Sequence, residues 1–168
     1  MEKEFLNFFK EYNIQPQQIP QRVFEYIREK FPLEFPKIEN HFYFLINFDV
    51  PKFRALIKKY LPNRRIECGL SSPFLNFIII DCRLKFPLSI MVHELVELLT
   101  ESHEEGSQHE ILFAKREGIE EYLENFDYLP FYGKAKKDEL KEIAKRKGIT
   151  LEDPFKIKLR KRLKESLK

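Results

Sequence analysis

The sequence contains no tryptophan, only two cysteines and only five glycines among its 168 residues. Cys68 and Cys82 are too few for a disulfide framework, and each reads as a buried free thiol beside a strand. The glycines are dispersed and form neither G-x-G-x-x-G nor G-x-x-x-x-G-K, which argues against nucleotide binding through loops of those types. No run approaches the roughly 18 consecutive apolar residues of a membrane helix. Met1-Glu2-Lys3-Glu4 has none of the basic-then-apolar order of a secretory leader. These absences predict a cytoplasmic protein with no membrane partner.

What is present is ordinary in amount and uneven in placement. A hydrophobic content of 43% suits one compact core, and 34% charged residues, rich in Lys and Glu, resemble a thermophile's surface ion-pair composition. Residues 1–132 carry 16 Lys and Arg against 21 Asp and Glu, whereas residues 133–168 carry 14 against 6. The charge change at Gly133 predicts two parts: an α+β domain over 1–132 and a basic helical C-terminal tail over 133–168.

Apolar spacing predicts the elements. Phe5, Phe8 and Phe9 mark a helix over Glu2–Tyr12, and Val23, Phe24, Ile27 and Phe31 mark a second, opened by Pro20. His41–Phe48 reads as a bulky strand, Pro51 starts a helix through Leu61, Arg64–Leu70 is a second strand and Leu75–Asp81 a third. From Pro87 to about His103 the chain predicts its best helix, ended by Glu104-Glu105-Gly106. Ser107-x-x-Glu110 then forms a capping box for an antiparallel neighbour running to Leu123. Asp138–Lys147 and Phe155–Leu167 read as lysine-rich amphipathic segments. The expected fold is α+β, a three- to four-stranded sheet packed by helices, with the active-site helix following the last strand.

The feature that carries chemistry is His93-Glu94-Leu95-Val96-Glu97. In H-E-x-x-H two ligands four residues apart share a helical face and grip one metal, while the glutamate after the first serves as general base. Here Glu97 stands in the second ligand's place, and a carboxylate can ligate zinc through oxygen. His93, Glu94 and Glu97 share the polar arc of their helix, opposite Leu88, Met91, Val92, Leu95, Leu98 and Leu99. His109 on the next helix is the expected third ligand. Glu117 is expected to accept the free N–H of that imidazole, and the isoleucine-rich strand to offer a free edge to an extended substrate. His103, ten residues after His93, competes with His109, and His41 reads as structural.

The stretch from Asn76 to about Leu123, a strand, a helix bearing an H-E-x-x-H-like motif and a following helix with a further histidine, resembles the catalytic core of compact zincin-type metallopeptidases. The resemblance covers under a third of the chain. It implies a Zn2+ or other divalent metal held by His93, Glu97 and His109, Glu94 as general base, and a peptide or protein substrate. Glu97 departs from the family pattern, and its charge would weaken the metal's activation of water. Two alternatives remain open. A carboxylate-bridged di-iron site would use Glu94, Glu97, Glu101, His109 and Glu117, although no Glu-x-x-His pair occurs on these helices. A noncatalytic, degenerate peptidase-fold module would bind nucleic acid nonspecifically, or an acidic protein partner, through the basic tail.

Overall fold

The computed structural model describes residues 1–63, 68–129, 133–151 and 162–167. Helices α1 (Glu2–Glu11) and α2 (Gln21–Lys30) come first, flanking a two-residue strand β1 (Gln17–Gln18). Strand β2 (Phe42–Ile46), helix α3 (Pro51–Tyr60), strands β3 (Gly69–Leu70) and β4 (Phe77–Asp81) follow. The chain then becomes helical: α4 (Leu88–Thr100), α5 (His103–Glu117), α6 (Ile119–Glu124) and α7 (Gly133–Arg146). The fold is α+β, as expected. Among the described residues no helix is long and apolar enough to cross a membrane.

The four strands lie in the order β1-β2-β4-β3. The central pair, β2 and β4, is parallel, in register from Phe42 opposite Phe77 to Ile46 opposite Asp81, and both outer pairings are antiparallel. Helices cover both faces, which is why β4 can be buried at all five positions. Alternate residues serve opposite cores: Ile78 and Ile80 face α2, α4 and α5, whereas Phe77 and Ile79 face α1 and α3. Fully burying one such side chain contributes about 1.5–3 kcal/mol.

Several expectations are corrected. The isoleucine-rich strand is internal, paired on both sides, so the sheet edge beside α4 belongs to β3. Of the predicted strand Arg64–Leu70, Gly69 and Leu70 are extended and 64–67 lie outside the described residues. Cys82 is exposed, because it stands one position past the end of β4, while Cys68 is buried. The α4–α5 boundary falls earlier than Gly106: Glu101 turns left-handed at φ 55°, and Ser102 caps α5 by accepting a hydrogen bond from the Glu105 N–H.

Gly106 lies inside α5 and permits close helix contact rather than ending a helix. A Cβ there would stand 2.9 Å from the His93 carbonyl oxygen. The predicted break at residue 133 is not a break in packing. Leu140 and Ala144 of α7 belong to the same core as α4 and α5, and Gly133 sits so close to the Phe126 carbonyl that a Cβ would overlap it. The helix predicted over Phe155–Leu167 lies largely outside the described residues, with 162–166 helical.

Candidate metal centre

Helix α4 carries His93, Glu94 and Glu97 along one side, as the four-residue spacing requires. This side is not a solvated face: His93 is 4% exposed and Glu94 5% exposed. Helix α5 packs antiparallel against α4, bringing its first residue, His103, to Glu97 and its later Glu110 to His93. Gly106 and Ser107, one small residue after another, lie between them and let the helices meet.

The imidazoles are arranged around Glu97. His93 Nε2 lies 3.1 Å from Glu97 Oε2 and His103 Nδ1 lies 3.8 Å from the same oxygen. One ligand atom from each of His93, Glu97 and His103 falls within 4.8 Å of the others, so these three side chains form a group able to hold a metal ion. The outward nitrogen of each ring meets another carboxylate. His93 Nδ1 is 2.7 Å from Glu110 Oε1, and His103 Nε2 bonds Glu139 of α7. Glu110 is fully buried, with Tyr122 donating its hydroxyl to one oxygen and Lys136 Nζ standing 3.4 Å from the other.

The electrostatics follow from these contacts. Burial alone would lower the His93 pKa, but hydrogen bonds to Glu110 and Glu97 outweigh it and raise the value to about 9. Glu139 and then Glu97 raise His103 to about 10. Burial would raise Glu110, yet the Lys136 ammonium and the His93 hydrogen bond bring it down to about 2. Two imidazole nitrogens with one carboxylate oxygen make a donor set used by catalytic zinc sites, and a bound ion displaces the protons these rings otherwise hold. The residues present fit the group.

The remaining expected site residues are placed as follows. Glu94 lines the same cleft of about 440 Å³ as His93, Glu97 and His103. His109 is not brought to it. Its Nδ1 bonds the Tyr26 hydroxyl at 2.7 Å, its Nε2 is 3.8 Å from Glu105, and its ring meets Phe31 and Tyr26 edge-on. Six residues after His103, it points about 120° away around α5, toward α2. Glu117 supports no imidazole and pairs instead with Arg22 and Arg116. Sequence reasoning missed Glu110 as the partner of His93, and Lys136 and Glu139 altogether. The available signal was the run His103, Gly106, Ser107, Glu110, spaced to form one helical face.

Strand β3 closes the cleft from the sheet side, with Cys68, Gly69 and Leu70 in its lining. A Cβ on Gly69 would stand 2.9 Å from Glu94 Cγ and 2.7 Å from Ile90 Cγ2. The bare backbone of the edge strand therefore lies directly on Glu94. No family model, curated protein or solved structure matches this chain.

Proposed function

We propose that this protein is a zinc-dependent peptidase of compact zincin type, in which His93, Glu97 and His103 hold the metal and Glu94 is the general base. The observation that carries the reading is the convergence of those three side chains in one cleft with Glu94, against the backbone of edge strand β3. His103 takes the place expected for His109. Zinc, when bound, supplies a Lewis acid that polarises the scissile carbonyl.

The chain's own residues do the rest. The outer edge of β3, which pairs with no other strand among the described residues, takes up an extended peptide through main-chain hydrogen bonds and sets the scissile bond over the cleft. Glu94, held at the cleft wall beneath Gly69, takes a proton from the attacking water and returns it to the leaving amine. Gly69 of β3 packs on the Glu94 side chain, which is 5% exposed, and so fixes the position of the base in the cleft wall.

Elemental analysis and peptide cleavage test this together. Purified protein is expected to hold about one divalent metal per chain, by analogy with single catalytic zinc sites. Glu94→Gln should keep that metal while cleavage falls roughly 100- to 10,000-fold. Absence of stoichiometric metal, or a His93→Ala variant with unchanged metal and cleavage, overturns the proposal.

A further inference from the structure

We infer that helix α7 is the positioning element of the metal centre, with Glu139 orienting His103 directly and Lys136 orienting His93 through Glu110. The inference rests on the metal centre proposed above and adds to it the residues that aim its imidazoles.

Each candidate ligand ring is held at two points. One nitrogen faces Glu97, at 3.1 Å for His93 Nε2 and 3.8 Å for His103 Nδ1. The other faces a carboxylate outside the ligand group, Glu110 for His93 and Glu139 for His103. A neutral imidazole ligates through the nitrogen without a proton, and the hydrogen bond at the other nitrogen decides which one that is. Glu110 and Glu139 thus select Nε2 of His93 and Nδ1 of His103 as the ligating atoms.

Glu139 comes from α7 itself. Glu110 comes from α5 but depends on α7, since Lys136 lies 3.4 Å from the same oxygen that receives His93 Nδ1–H. Tyr122 holds the second oxygen, so the carboxylate is fixed at both ends. Lys136 is 3% exposed and is the one lysine or arginine fully buried among the described residues. Lysine is almost never buried without a charged partner, and here a partner is Glu110, the residue that aims His93. The ammonium also cancels the charge of Glu110, so that it does not add to that of Glu97 at the metal.

The sequence of α7 accounts for the arrangement. Lys136 and Glu139 are three residues apart and share a side of the helix. Leu140 and Ala144 continue into the core and dock the helix, so both polar residues reach the cleft together.

The test titrates Co2+ alone into the metal-free full-length protein, reading affinity and the visible absorption of bound Co2+, with a thermal melt of each variant. Glu139→Gln and Lys136→Met are expected to weaken Co2+ binding about 10-fold or more, as loss of such outer hydrogen bonds does, and to shift the spectrum. Lys136→Met strands the buried Glu110 charge and can unfold the protein, so the double variant Lys136→Met with Glu110→Gln is measured beside it. That pair removes both charges; it should regain the melting temperature while keeping the weakened affinity and altered spectrum. Recovery of affinity and spectrum together with stability, or wild-type Co2+ binding in a folded Glu139→Gln, overturns the inference. If the wild type binds no Co2+, the metal centre itself falls and this inference with it; a wild type that binds while folded variants match it defeats the inference alone.

Discussion

The two faces of the sheet have interiors of opposite character. Between the sheet and α1 with α3 the filling is mainly aromatic: Phe5, Phe8, Phe9, Phe44, Phe48, Phe53 and Phe77, with Phe9 and Phe44 stacked at 4.0 Å. The buried charge nearest that face, Asp81 at the end of β4, is gripped by Arg83 through both oxygens, at 3.0 and 2.7 Å. On the α4 side the core also covers His93, Glu94, Glu110 and Lys136. A core of rings tolerates no polar partner and needs none, because its stability scales with the area buried. A core holding several ionised groups must match each with another at hydrogen-bond distance, so it fixes geometry more than it adds stability. One side of the sheet stabilises the platform on which the other side arranges its chemistry.

Phe77→Ala tests that division with the largest effect. It empties the centre of the aromatic side and should lower unfolding free energy by about 3–5 kcal/mol in a urea titration. Metal bound per folded molecule should not change, and a parallel loss of metal would show that the two faces are not separable. Gly106→Val acts on the other side. Its side chain meets the His93 carbonyl, forces α4 and α5 apart, and should cost about 1–3 kcal/mol, with metal uptake reduced as well.

The two α5 histidines give a finer comparison. His109→Ala removes the Tyr26 hydrogen bond and should cost roughly 1 kcal/mol with metal affinity intact. His103→Ala should weaken metal binding strongly, with a modest fall in melting temperature from loss of its half-exposed pairs with Glu139 and Glu97. The reverse pattern would restore His109 as ligand. The smallest change is expected for Arg116→Ala, which removes surface pairs with Glu29 and Glu117: about 0.5 kcal/mol, with metal unaffected.

The helices with three- and four-residue apolar spacing were legible in the sequence, because each buries one stripe. The isoleucine-rich β4 was legible because both its faces are covered. Strand β1 was not: Gln17 and Gln18 are polar, exposed and paired only at an edge. The site was half legible. His93, Glu94 and Glu97 follow from helical spacing on a single element. The choice between His103 and His109 hung on where α5 starts, and both Ser102-x-x-Glu105 and Ser107-x-x-Glu110 satisfy the capping pattern. Glycine usually punctuates a helix, so Gly106 pointed to the later start. A glycine kept within a helix for close contact with a neighbour carries the opposite meaning, and only the neighbour reveals it. Lys136 and Glu139 were hidden by composition: in a lysine-rich segment one inward-facing lysine looks like all the others.

The position of α7 in the chain also orders events in time. The three candidate ligands lie between residues 93 and 103, on a hairpin formed by local contacts, whereas Glu139 lies 36 residues beyond His103 and Lys136 lies 26 beyond Glu110. A chain growing from its N-terminus therefore completes the candidate ligands well before it makes the helix that carries their partners. The close seat of Gly133 against the Phe126 carbonyl is the point at which that late helix joins the part of the chain made before it.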